Sequence, residues 1–321
     1  MKKFRMLMLL SLVLVMVSFV SSCKASGENV LPNSTPNIPA YGDDKKYIIH
    51  EAPNQNIDAI DSLPVFINQY PYGQEGIEAD VTATLIANLK NNMLSFLQSA
   101  GYDTYNVDSL FPDEDLLEQA IFACEVDDLW IVSRPECINV LFNVDVSGIN
   151  DVKSFCSQLT GDTRIVSAYR YLNIESPEIV YEISNYVGTN NVERITFTIW
   201  DKGQEPWDEI YNKSFRYAQV SWDPSEPEAG VLLKIVKIDT DLVYRDYSLL
   251  PVDDAKAMLN NETDKLYDVV SSEIVYDGAI MPGYYVPCYN LYVREHPTTN
   301  TLSSEECTGF VTHLVPAISF D

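Results

Sequence analysis

The chain has 321 residues, with 47 acidic against 21 basic side chains, a net charge of −26 and an apolar content of 46%. That charge excludes a nucleic-acid binder, because an acidic surface repels phosphate backbones. The apolar share excludes a disordered chain, and the length admits one large domain or two smaller ones.

Lys2, Lys3 and Arg5 precede Met6 to Val20, an apolar run broken only by Ser11 and Ser18. A basic start followed by such a run is the pattern of a secretory leader. Its 15 residues fall short of the roughly 20 that span a bilayer as a helix. The run ends in Val20-Ser21-Ser22-Cys23. This resembles the lipobox of bacterial lipoproteins, whose usual form is Leu-Ala-Gly-Cys, with Val and Ser as tolerated variants. The resemblance implies diacylglycerol in thioether linkage on Cys23, cleavage after Ser22, and a lipid-anchored protein on the extracytoplasmic face of the membrane. Residues 1–22 are then the leader. Its removal takes three bases and no acid, which leaves 47 acids against 18 bases. Two acyl chains anchor stably where one is marginal.

Residues 23–45 are rich in Pro, Asn, Ser and Gly with no apolar period, and read as a flexible tether. Tyr47 to Ile49 and Leu63 to Phe66 are short extended segments. Ile77, Val81, Leu85, Leu89, Met93 and Leu97 recur every four residues and predict a helix that stops near Gly101. Asp113 to Glu125 reads as a second helix, Asp128 to Val132 and Ile138 to Val144 as strands, and Asn150 to Leu159 as a short helix. From there, Arg164–Leu172, Glu178–Val187, Val192–Trp200, Ser214–Trp222 and Val231–Ile238 favour strands, with turn-rich segments between them. A helix begins after Pro251, and strands follow over Val269–Tyr276, Tyr284–Val293 and Gly309–Val315. The expected class is α+β, antiparallel sheets with a few packed helices in two modules: a helix-rich one over 46–162 and a strand-rich one over 163–321.

The last seventy residues carry a second resemblance. Pro251-Val252 with Ala255 starts a helix, Glu273-Ile274-Val275-Tyr276 forms a strand, and Tyr284-Tyr285-Val286-Pro287-Cys288-Tyr289-Asn290-Leu291-Tyr292-Val293 precedes His313-Leu314-Val315-Pro316-Ala317. This order is similar to uncharacterised surface lipoproteins of anaerobic gut-type bacteria and, more weakly, to PepSY-like modules of extracytoplasmic regulators. It implies binding or inhibition rather than catalysis.

No motif of a catalytic family is present: no G-x-S-x-G elbow, no phosphate-binding loop and no G-x-G-x-x-G. His50, His296 and His313 form no ligand-like pair. No catalytic, cofactor-binding or metal-ligating residue is assigned, and no cofactor is expected. Asp239-Thr240-Asp241 has a calcium-like spacing but lacks the glycine and glutamate of an EF-hand. Besides Cys23 there are Cys124, Cys137, Cys156, Cys288 and Cys307, an odd number with no C-x-x-C pair. Cys288 and Cys307 either bridge two antiparallel strands or are buried thiols. The surplus of 20 Tyr and 4 Trp, notably Tyr284, Tyr285, Tyr289, Tyr292, Trp200, Trp207 and Trp222, suits half-buried strands or a binding platform. The expected function is non-catalytic binding, interaction or inhibition. The partners are the membrane through Cys23 and a protein at the cell envelope, with no nucleic acid. A transporter's solute-binding lipoprotein and a surface hydrolase are the alternatives.

Overall fold

The structure, a computed structural model, describes residues 46–48, 60–68, 79–102, 121–145, 152–185, 192–238, 240–263, 267–278, 280–281, 283–294, 298–299 and 306–319. It is α+β, and every strand pairing among these residues is antiparallel.

The strands are β1 (Lys46–Ile48), β2 (Ser62–Ile67), β3 (Phe122–Val126), β4 (Leu129–Ser133), β5 (Cys137–Phe142), β6 (Pro177–Asn185), β7 (Val192–Asp201), β8 (Arg216–Trp222), β9 (Val231–Lys237), β10 (Val243–Ser248), β11 (Val269–Asp277), β12 (Tyr284–Arg294), β13 (Thr298–Thr299) and β14 (Glu306–Pro316). The helices are α1 (Ala79–Ser99), α2 (Val152–Thr160), α3 (Thr163–Leu172), α4 (Pro206–Phe215) and α5 (Val252–Thr263).

Seven strands form one sheet in the order β6-β7-β8-β9-β5-β4-β3, and five form another from β10, β2, β12 and β14 with β11 on β12. β1 pairs with both β14 and β6 and so joins the two. β5 pairs with β9 from Cys137↔Val236 to Phe142↔Val231. Strands from both sides of residue 162 therefore share the larger sheet. Likewise β2, from the start of the chain, pairs with β10 and β12.

The larger sheet buries one face by strict alternation. Ile195, Phe197 and Ile199 of β7, Ala218 and Val220 of β8, and Val231, Leu233 and Ile235 of β9 form a core with Val140 and Ile131. α1 covers it with Leu89, Met93, Phe96 and Leu97, α2 with Phe155 and Leu159, and α3 with Ile165, Ala168 and Leu172. Each Val, Leu, Ile, Phe or Met among them contributes about 1.5–3 kcal/mol by leaving water. The smaller sheet has cores on both faces. Leu63, Ile274, Tyr289, Leu291 and Val315 pack with α4 and α5, while Val65, Val286, Cys288 and Ile318 pack on the other side. β12 is central, flanked by β11 and β14. Its residues Tyr285–Tyr289 and Leu291–Val293 are therefore buried irrespective of the face they point to.

Several sequence expectations need correction. Arg164–Leu172 is not a strand but most of α3. Its Val, Ile and Tyr content favours strands, yet Ile165, Ala168 and Leu172 lie on one helical face and are buried. Both ends are capped: the Asp162 carboxylate accepts Arg164 N–H at 2.9 Å, and Asn173 takes the left-handed conformation at φ 58°. Phe122–Val126 is a strand rather than the end of a helix, joined to β4 by a tight turn with Asp127 at φ 50°. The rest of the helix expected over 113–125 lies outside the described residues. α4 occupies 206–215, where only the onset of a strand at Ser214 is expected, and β10 is an added strand.

Candidate functional site

Cys23, His50, His296 and Asp239 lie outside the described residues. His313 sits in β14 opposite Leu291, 8% exposed, with its ring 4.9 Å from Tyr267. No group of three potential metal ligands occurs among the described residues. Tyr285, Tyr289 and Tyr292 are buried, as are Trp200 and Trp222, so these five serve the interior, while Tyr284 and Trp207 are half-buried. Phe66, Trp207, Tyr211, Phe215 and Tyr276 form one continuous ring cluster under α4.

Cys124, Cys137, Cys156 and Cys288 are reduced and buried. Burial pushes the Cys124 thiol up to about 11, away from nucleophilic chemistry. The bridge between Cys288 and Cys307 does not form. Their strands are adjacent and antiparallel, but Cys288 lies opposite Pro316 and Cys307 opposite Thr298 of β13. At about 3.4 Å per residue, Cys307 is then about 30 Å along β14 from the position facing Cys288.

The element that brings polar chemistry together is α4, at the seam between the sheets. Gly203 at φ 70° turns the chain out of β7, and Pro206 starts the helix at its first position. The Asp208 carboxylate then accepts the N–H groups of Gln204 and Glu205, each at 3.1 Å. α4 packs on β7, β8 and β11. The Ser214 hydroxyl accepts the Tyr276 N–H at 3.0 Å, which ties the helix to the smaller sheet.

On the inner side of α4, Lys213 ion-pairs with Glu273 of β11, whose side chain is 2% exposed. The other carboxylate oxygen of Glu273 accepts the Asn290 amide at 3.0 Å and the Tyr292 hydroxyl. The Lys213 ammonium also lies 4.8 Å from the Trp200 ring centre. All partners are satisfied, as a buried charge requires. Burial, together with the Glu273 carboxylate beside it, pushes the Tyr292 hydroxyl well above its usual range, so it stays a hydrogen-bond donor. Burial also raises Glu209, one turn before Lys213, despite Lys213 and Lys202 nearby.

On the outer side is a polar cleft of about 350 Å³, within the range of small-ligand sites. It is lined by Asn173 and Glu175 from the α3–β6 loop, by Asp201 at the end of β7, by Asp208 and Asn212 of α4, and by Arg216 just after it. Asp201 fixes the loop. Its carboxylate accepts backbone N–H groups of Glu175, of Ser176 at 3.0 Å and of Gly203 at 2.8 Å. Burial alone pushes its carboxyl up, and these three donors outweigh that and hold it below the usual value. Asn212 donates to the Asp201 carbonyl at 3.0 Å, so helix and loop are rigidly joined. None of these cleft residues was singled out in the sequence. The glycine-proline punctuation Gly203–Pro206 and the spacing of Asp208, Asn212 and Arg216 were the available signs.

No family model and no curated protein matches the chain. A crystal structure of an uncharacterized protein from Eubacterium rectale ATCC 33656 aligns with 82% of this chain and 85% of its own, at 12% identity and a TM-score of 0.31. A likeness of that degree carries no argument for fold or function.

Proposed function

We propose that the protein is a lipid-anchored binding module on the extracytoplasmic face of the membrane, without catalytic activity. The observation that carries this reading is the basic start, the apolar run Met6–Val20 and the Ser21-Ser22-Cys23 end. A polar tether over 23–45 then holds the folded part away from the headgroups. The hydrogen bonds of Asp201, Asp208 and Asn212 hold the frame of the cleft in place, which suits recognition of a ligand. Antiparallel pairing throughout the described strands favours this reading over a transporter's solute-binding lipoprotein, which is built on repeated strand–helix alternation. A protein at the cell envelope is the partner class that fits.

The test is fractionation of cells expressing the native chain or Cys23→Ala, with protease added to intact cells. The expected result is a membrane-bound, protease-accessible native protein and a Cys23→Ala form that is no longer membrane-bound as a mature lipoprotein. Equal membrane association and processing of both forms would overturn the reading.

A further inference from the structure

Arg216 follows the last turn of α4 and lines the cleft. Its Nε is buried without a hydrogen-bond partner, and its guanidinium rests on the Tyr211 ring at 5.2 Å. Arg164, Lys202 and Lys213 each take a carboxylate. Arg216 has none among the described residues, although the chain holds 47 acids. A guanidinium that lines a cleft without a carboxylate partner is left able to take an incoming one. A guanidinium is also the group that binds a carboxylate in a planar, two-bonded way.

The rest of the cleft wall is polarised. Asp208 and Asn212 lie one turn apart on α4, and Arg216, the residue that caps its C-terminal end, lines the same cleft with its guanidinium. The backbone rises about 12 Å from Asp208 to Arg216, whose N–H still bonds the Asn212 carbonyl. Glu175 and Asp201 add negative charge to the cleft. Asp208 and Asp201 are pinned by backbone N–H groups and do not swing over to neutralise Arg216.

We propose that this cleft binds a short peptide with free termini. The terminal carboxylate sits on Arg216, the peptide amide meets Asn212, and the terminal ammonium faces Asp208. An extended tripeptide is about 10 Å long, close to the span from Asp208 to Arg216. The proposal rests on the reading of the protein as a binding module and names its ligand class.

The experiment is calorimetric titration of the full-length protein in detergent with three probes: trialanine, trialanine amide and N-acetyl-trialanine. Trialanine binds, and each blocked form binds at least about tenfold more weakly, as expected for loss of a charged hydrogen-bonded contact. Arg216→Gln reduces trialanine binding by about the same factor, and Arg216→Lys recovers part of it. Absence of trialanine binding up to about 10 mM, equal binding of either blocked form, or full binding by Arg216→Gln would each overturn the proposal. The blocked probes keep the test valid on the native protein if a substitution impairs folding. Membrane attachment through Cys23 is scored separately on the same preparations. A failed titration with intact attachment overturns the peptide ligand alone, and failed attachment overturns the anchored reading.

Discussion

Lys213 on α4 and Glu273 on β11 form a buried ion pair at the seam between the two sheets, with side chains 14% and 2% exposed. The pair is held in place by Trp200 under the ammonium and by Asn290 and Tyr292 on the carboxylate. Such a pair specifies how α4 sits more than it stabilises the fold, because desolvation offsets most of the attraction. Lys213→Met leaves the Glu273 charge buried and unpaired, and lowers stability by about 3–5 kcal/mol in urea unfolding. The double variant Lys213→Met with Glu273→Leu recovers most of that loss. A double variant no more stable than Lys213→Met alone would contradict this account of the seam.

Gly203 is a second determinant of α4. It adopts φ 70°, and a Cβ built there falls 2.2 Å from the Asp208 Cβ. Gly203→Ala therefore both strains the backbone and displaces the residue that caps the helix start. The expected loss is about 1–3 kcal/mol or more. A Gly203→Ala protein with an unchanged urea midpoint would show that the turn relaxes freely.

The acid limb of stability carries a sign fixed by Asp162 and Asp201. For Asp162, as for Asp201, burial pushes the carboxyl up; hydrogen bonds from the Arg164 side chain and backbone and the Arg164 charge outweigh it and leave it below 3.8. Asp201 is held below the same value by its backbone donors. A folded value below the unfolded one means that this stabilisation is present above the unfolded pKa and is lost as pH falls through the folded one. The urea midpoint accordingly drops as pH falls through and below the ordinary carboxylate range. Asp201→Asn is less stable at neutral pH and shows a smaller acid decline. An acid decline as steep as that of the native protein would remove Asp201 from the account.

Glu209 works in the opposite direction. Burial raises its carboxyl above 4.5 in the folded protein, so ionisation at neutral pH opposes folding. Glu209→Gln is expected to raise the urea midpoint at neutral pH and to leave it nearly unchanged at low pH. A neutral-pH midpoint below that of the native protein would show that the Lys213 and Lys202 charges outweigh burial.

The sequence made the sheets legible where alternation is strict. Ile195, Phe197 and Ile199 read as one strand face and are one. The four-residue recurrence of Leu89, Met93 and Leu97 likewise read as a helix, and α1 spans Ala79–Ser99. α3 was hidden because its β-branched and aromatic residues mimic a strand, and only the Asp162 and Asn173 caps mark it as helical. α4 was hidden because Trp207, Ile210, Tyr211 and Phe215 form its apolar face within a mixed polar segment, and tertiary contacts with both sheets decide its state. The cleft as a whole was not legible, because only the α4 side left a local sign, in Gly203–Pro206 and the spacing of Asp208 and Asn212. It joins Asn173, Asp201 and Arg216 from three separate elements, and no local pattern states that pairing. The chemistry that the sequence proposes locally is at Cys23, where the expected leader, the expected cleavage position and the thiol are contiguous.

The most direct measurement is mass spectrometry of the N-terminal peptide of the protein extracted from its own membranes. The account predicts a chain that starts at Cys23 and carries diacylglycerol on its sulfur. A chain that starts elsewhere, or an unmodified thiol at Cys23, would contradict it.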